Sequence, residues 1–343
     1  MAISHTLRAI VEAASYYPSA DNSQPLQFGI SENAISIGCS EKRCSRESYF
    51  DCDSHAVAFS MGCAVESLLL VAKNLDTPCL VEPLQSGFLC TFPEIEGVDV
   101  GDETFTPVKM RHTNRGPYRK DALSDSLPEQ LLDESEGAVS VSYYRTGMST
   151  GLIQLIVKAA SLRFRSPDLV KFLADSLRDG SDEVAQGDGL DIETLCLPPG
   201  GKGILSLSTS SRWLPSLNKL GFHRLLAAFE GMMLKQSAGL VVISGGTLVN
   251  DAVQAGQLSQ RIWVMLNQAG CAVHPYYVVT DQLMRKRKGM VSSDLKSEVD
   301  VLEEAVKDVV GSESLHMVFR VGFPKRDVVR SRRLPLEEVY SKS

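Results

Sequence analysis

Three clusters of polar side chains carry the chemistry that this 343-residue sequence could perform. The first is Pro18-Ser19-Ala20-Asp21-Asn22-Ser23-Gln24-Pro25. Asn22 and Gln24 bear carboxamides, each donor and acceptor at once, which suits a flat heterocycle edged with alternating carbonyl and N–H groups. Pro18 and Pro25 stiffen the run and lower the entropy lost on binding. The same composition also suits a plain helix-terminating turn. The second cluster is Arg111-His112-Thr113-Asn114-Arg115. Two arginines four apart, with a hydroxyl and a carboxamide between them, can converge on one phosphate through charge-assisted bonds. They would equally make a solvated basic patch. The third, Arg330-Ser331-Arg332-Arg333, is cationic in the same way. A fourth basic run, Arg285-Lys286-Arg287-Lys288, has no interleaved polar or glycine residues and reads as a solvated loop.

Other chemistries lack their signatures. The sequence has no GxSxG, no HExxH, no phosphate-binding Walker loop and no GxGxxG after a strand. Its six histidines are scattered and its eight cysteines form no CxxC pair, so no metal site is expected. Without a secretion signal, the thiols are expected to be reduced, in a cytoplasmic protein. A formal charge of -7 gives no electrostatic case for nucleic acid. No run approaches the ~18 consecutive apolar residues of a membrane span. With 43% hydrophobic and 22% charged residues, the chain should fold around a substantial core.

The elements that must position these clusters follow from periodicity. Leu7, Ile10, Val11 and Ala14 share one helical face over 6–15, and Pro18 stops that helix. QFGISENAISIGCS reads as a hairpin. Residues 55–75 are apolar nearly all round and predict a central buried helix. Strands are expected near 79–82, 88–92, 138–146, 238–246 and along HMVFRVGF; helices at 149–177 with a break at Ser166-Pro167, then 221–236, 249–269 and 294–309. Periodicity weakens from 179 to 216, where DGSDEVAQGDG and LPPGGKG suggest either a lid or an ordinary surface excursion. The fold class is α+β.

PSADNSQPLQF resembles the loop after the first helix of nitroreductase-family flavoproteins, commonly close to A-P-S-x-x-N-x-Q-P-W-x-F, with Tyr17 and Leu26 replacing a small residue and an aromatic. RHTNRGPY resembles that family's phosphate-binding R-x-S-x-R-x-F motif. GQLSQRIWVMLNQAGCAVHP resembles the helix and loop that lead to the flavin, and RSRRLPLEEV its basic C-terminal stretch. Family members usually carry the arginine motif first; here it follows the N-x-Q-P loop by about ninety residues.

That order is what a fused, single-chain pseudo-dimer would give. The resemblance therefore implies an α+β nitroreductase-like fold of two related halves, 1–107 and 108–343, with central antiparallel sheets flanked by helices. It implies one FMN per chain beneath a lid at 179–216. Arg111, Thr113 and Arg115 would hold the phosphate or ribityl chain, supplemented by Arg330, Arg332 and Arg333. Ser19, Asn22 and Gln24 would line the isoalloxazine or ribityl, and His274, Pro275 and Tyr276 would pass the flavin N5 edge. The acidic residue and glycine common there in the family are both missing.

The activity implied is an FMN-dependent oxidoreductase. NAD(P)H or a small-molecule substrate would reduce the flavin and an acceptor would reoxidise it, with no side-chain nucleophile. The alternative is a flavin-sequestering protein with little or no nitroreductase activity; a flavin-free relic acting only as an interaction module ranks behind both. A monomer or a homodimer, with neither nucleic acid nor membrane as partner, completes the expectation.

Overall fold

The computed structural model describes residues 2–44, 50–98, 101–124, 126–311 and 314–342. Helix α1 (Ala2–Ala14) buries Leu7, Ile10, Val11 and Ala14, the face read from spacing. The hairpin follows as β1 (Leu26–Ser31) and β2 (Ala34–Cys39), turning at Glu32, whose φ of 45° is left-handed. Ser54 then accepts a hydrogen bond from the Val57 amide and starts α2 (His55–Asn74). Strands β3 (Leu80–Leu84) and β4 (Gly87–Thr91) form a second hairpin, and α3 (Asp102–Met110) delivers the chain to Arg111.

The second part begins with α4 (Ser126–Asp133) and β5 (Val139–Arg145). Helices α5 (Thr150–Arg163) and α6 (Pro167–Ser176) break at the expected proline. An excursion of short pieces comes next: β6 (Leu177–Arg178), α7 (Ser181–Val184), β7 (Leu190–Asp191), α8 (Gly201–Ser208) and α9 (Leu214–Lys219). Longer elements resume with α10 (Phe222–Lys235), β8 (Gly239–Gly245), α11 (Val249–Gln268) and β9 (Ala272–Tyr276). The chain closes with α12 (Val278–Arg287), α13 (Lys296–Val310), β10 (Ser314–Gly322), α14 (Leu336–Val339) and β11 (Tyr340–Lys342).

The strands form two main sheets, ordered β11-β1-β2-β4-β3 and β5-β8-β10-β9. Apart from β11, each runs first, second, fourth, third in chain order, with every neighbour antiparallel. In each, one 20-residue helix lies between the second and third strands: α2 in one sheet's segment, α11 in the other's. Strand β11 comes from the C-terminal tail and pairs in parallel with β1, so the end of the chain completes the first sheet.

Helices α2 and α11 pack against each other through reciprocal glycine contacts. A Cβ on Gly62 would collide with the Val253 carbonyl, and one on Gly256 with that of Phe59. The close approach lets Gln260 Nε2 donate to Ser67 Oγ at 3.0 Å, and Arg261 forms a two-pronged bridge to the buried Glu66 at 2.7 and 3.2 Å. Helix α2 is long and apolar enough to cross a membrane by length and composition, yet most of it is buried in this core.

One hydrophobic cluster joins both parts of the chain, from Leu7, Phe28 and Val65 to Val241, Trp263 and Phe319. A second lies on the opposite face of the β5-β8-β10-β9 sheet, where Leu240, Val242 and Val318 meet Ile156 and Leu302. Strand β8 therefore alternates between two cores, and its run 240–243 is apolar on both faces, as a strand buried on both sides requires.

The basic run at 285–288 ends helix α12 and is not a solvated loop. Arg285 is buried and bonds Asp168 at 2.6 Å, Lys286 meets Asp300 and Glu303, and Lys288 reaches Asp51. Asp168 on α6, Asp300 and Glu303 on α13, and Asp51 thus pair with three of the run's four charges.

Candidate functional site

Strands β9 and β10 place His274 directly opposite Arg320. Tyr276 lies two residues further along β9 and therefore on the same face, its ring 4.5 Å from that of His274. Pro275 pairs with Phe319 and points the other way. The Arg320 guanidinium is fully buried, stacks 3.7 Å over the Tyr118 ring and donates to the Gly116 carbonyl. It makes no ion pair among the described residues, and its Nε and Nη1 have no hydrogen-bond partner there. His274 Nδ1 and Arg163 Nε are buried and unpartnered in the same sense, whereas the Tyr276 hydroxyl lies beside both Arg320 and Glu230.

Further groups converge on this face. Arg163, at the end of α5, lies 3.5 Å from Glu230 on α10. Burial lowers the Arg115 pKa, and the charges of Asp21, Cys196, Tyr276 and Glu230 oppose that shift. Asp21 is raised by burial, against the pull of Arg115 and Arg163. His274 is held well below its ordinary range, first by burial and then by Arg320, Arg115 and Arg163, so its imidazole is neutral. Tyr276 is raised by burial and by Glu230, and stays a phenol. Among the described residues, three guanidinium groups thus lie near two carboxyls, of which Asp21 is shifted toward its neutral form; Arg320 is fully buried, whereas Arg163 and Glu230 are partly exposed.

The loop that brings Asp21 here is strained. Asp21, Asn22 and Gln24 have φ values of 46°, 57° and 48°, in the left-handed region that costs most side chains energy. What holds it is a set of bonds from remote segments. Asn22 Nδ2 donates to the carbonyls of Arg332 at 3.0 Å and Gly187 at 3.3 Å, and Gln24 Nε2 to Gly187 at 2.9 Å. Gln24 Oε1 accepts from the Leu334 amide, and Ser19 Oγ from the Gln24 amide. Arg333 donates to Asn22 Oδ1 and to the carbonyls of Ser15 and Tyr17. The carboxamides read as ligand groups from sequence are here engaged in tying the loop to the excursion and the tail.

The other residues singled out from sequence are spread around this cluster. Thr113 bridges Val273 in parallel, and the Asn114 amide donates to the Val273 carbonyl, so the arginine motif runs along the free edge of β9. Arg111 is buried over Trp263 at 4.6 Å and donates to the Tyr16 carbonyl at 2.6 Å. Its pKa is pushed down to about 9 by burial and by Arg333, so Arg111 and Arg115 look toward different groups. Arg332 is exposed; Arg330 is exposed too, its Nη1 lying 3.5 Å from the Lys109 carbonyl.

Sequence reasoning passed over Asp21, Arg163, Glu230 and Arg320. Two of them left a signal: Arg320 is the one guanidinium within the apolar strand HMVFRVGF, and Glu230 is the sole acid between residues 194 and 235. The excursion covers one side of the cluster, with Cys196 beside Arg115 and Arg320. Two open grooves lie elsewhere: one of about 520 Å³ between α5 and α10, and one of about 410 Å³ beside Ser140, Ser244 and Gly311.

No family model matches the sequence, and no curated protein matches it. Several solved flavoproteins are similar to the chain at low identity. The FMN-dependent nitroreductase NfnB from Mycobacterium smegmatis, in complex with NADPH, is 15% identical with a TM-score of 0.37, over 69% of this chain and 96% of that one. The FMN and NADPH-dependent nitroreductase NfnB from sphigopyxis sp. strain HMH is 11% identical with a TM-score of 0.37, over 69% and 97%. A BluB-like flavoprotein from Clostridium difficile 630 is 10% identical with a TM-score of 0.36, over 70% and 99%.

Proposed function

We propose that the cluster around Arg320 binds the anionic part of FMN, and that the chain is a flavin-dependent oxidoreductase. The observation that carries this reading is a fully buried guanidinium with no ion pair among the described residues and two unpartnered nitrogens. Burying an uncompensated charge costs several kcal/mol, which an anionic ligand would offset. The motif resemblance of the N-x-Q-P loop and the R-H-T-N-R segment supports a flavin as that ligand. FMN would bring a phosphate dianion and a ring able to accept and return a hydride equivalent.

In this reading Arg320, Arg163 and Arg115 hold the anion. Neutral His274 and the Tyr276 phenol supply hydrogen bonds that do not compete for its charge. Asp21, with its raised pKa, is the group suited to hold or release a proton beside a bound substrate. Arg111 and Arg333 support the site from behind, by fixing Tyr16, Tyr17 and Asn22. The matching strand orders of the two sheets support an ancestral duplication, with the first half lending its loop to the site of the second. The donor would be NAD(P)H or the substrate itself.

The Gly187 contacts with Asn22 and Gln24 favour a second reading, in which the excursion keeps the flavin closed in and turnover is slight. An absorption spectrum between about 300 and 550 nm, taken after incubation with FMN and again after anaerobic NADPH, tests both. Flavin bands that bleach support the oxidoreductase, and bands that persist under NADPH support sequestration. No bound flavin in either preparation would overturn the cofactor assignment.

A further inference from the structure

Cys39 at the end of β2, Cys44 in the turn that follows, and Cys52 two residues before the α2 cap bring their Sγ atoms within 4.8 Å of one another. The spacing C-x4-C-x7-C contains no CxxC, and nothing in it groups the three residues. Their burial is graded: Cys44 is buried, Cys39 half-buried and Cys52 exposed. The group therefore has a protein-lined base and a side open to solvent. Three thiols packed merely as small apolar groups would not need that opening.

The backbone orients two of the sulfurs. Cys52 Sγ lies 2.9 Å from the Cys44 carbonyl, and Cys44 Sγ lies 3.5 Å from that of Phe50. Of the two acids flanking Cys52, Asp51 pairs with Lys288 at 3.1 Å, and Asp53 acts electrostatically on both Cys39 and Cys52. The other close thiols, Cys79 and Cys90, make a contrast: they are only a pair, with no third ligand grouped with them among the described residues.

We propose that Cys39, Cys44 and Cys52 bind one Zn²⁺ ion, with a water as the fourth ligand. Zn–S bonds of about 2.3 Å in a tetrahedron put the sulfurs about 3.8 Å apart, so each need move by less than about 1 Å. Soft thiolates select zinc over the hard cations, and the open side supplies an entry path. Binding releases up to three thiol protons and changes no oxidation state, so no oxidant or reductant is required. The ion would staple the end of β2 to the start of α2. It would also steady Arg43, which neighbours Cys44 and donates to the carbonyls of Gln24, Leu26 and Glu338.

The test uses the full chain, reduced, stripped of metal by a chelator and kept anaerobic. Co²⁺ is added as a spectroscopic stand-in and then displaced by Zn²⁺. The expected result is a thiolate-to-cobalt charge-transfer band that saturates at one equivalent and disappears on adding Zn²⁺. C52S, at the exposed ligand, should bind at least ~100-fold more weakly while keeping its circular dichroism spectrum. C79S should bind as the parent does. No charge-transfer band in the parent chain would overturn the proposal, as would a band that survives C52S or is lost in C79S.

Discussion

His274 and Arg320 face each other across the β9–β10 ladder, and both keep buried nitrogens for which the described residues offer no partner. Strand pairing sets this juxtaposition, because opposite residues in an antiparallel pair project to the same side. Among the described residues, a neutral imidazole thus stands beside a guanidinium that has two unpartnered nitrogens.

Replacing Arg320 with methionine removes a buried charge and keeps most of the volume. The unliganded protein should melt at the same temperature or higher, since buried unpaired charge is costly. If the cluster holds FMN as proposed, the parent chain should be stabilised by FMN and the variant should not, because ligand stabilisation follows affinity. Thermal unfolding with and without FMN reads both effects. An R320M variant that FMN stabilises as much as the parent would remove Arg320 from the site.

The loop clamp depends on Arg333, which holds three acceptors in the segment Ser15–Asn22. R333A should destabilise the protein by roughly 1.5–3 kcal/mol, the scale of hydrogen bonds to a charged group. Hydrogen exchange should rise at 15–24 and 330–340 while α11 stays protected. Uniform loss of protection across the chain would instead mean that the clamp is inseparable from global folding.

The excursion should respond to Gln24. Q24L removes the bonds to the Gly187 carbonyl and from the Leu334 amide. Limited proteolysis should then cut within 179–216 several-fold faster than in the parent. Unchanged cleavage would show that the excursion is held down elsewhere.

The paired glycines set the distance between α2 and α11. G62A drives a methyl into the Val253 carbonyl and should cost roughly 1–3 kcal/mol, as overpacking does. G256A should act alike, and the double variant should cost less than the sum, because the first separation relieves the second clash. Urea denaturation gives all three values.

Acid should weaken the fold through His55 and His316. These rings stack, with His55 Nε2 2.8 Å from His316 Nδ1 and His55 Nδ1 3.0 Å from the Tyr277 hydroxyl. Burial, then the charge of His316, pushes His55 down to about 3; burial holds His316 at about 4 although Asp251 pulls it up. Above pH 6.5 both rings are neutral folded or unfolded. As the pH falls from 6.5 toward 4, the unfolded chain takes up protons that the folded one refuses. Stability should drop by up to about 1.4 kcal/mol per pH unit for each ring. Urea midpoints at pH 7 and pH 5 should differ less in H55Q than in the parent, and equal differences would refute the assignment.

Much of this molecule is legible in one dimension. The face of α1, the β1–β2 hairpin, the all-round apolar α2 and the α5–α6 break at Pro167 follow from local spacing, because helix and strand periods are properties of neighbouring residues. The strained loop was visible as Asp21-Asn22-Ser23-Gln24 between two prolines, though its carboxamides turned out to bind the chain's own backbone. What only the tertiary structure decided is which distant groups meet. Arg285 found Asp168, Arg333 found Asn22, and Arg320 found His274 through strand register. Three cysteines without a recognisable spacing came to share one corner of the fold. Those encounters depend on sheet order and on how closely α2 and α11 approach. They are fixed by packing between segments up to three hundred residues apart, a scale at which local periodicity carries no information.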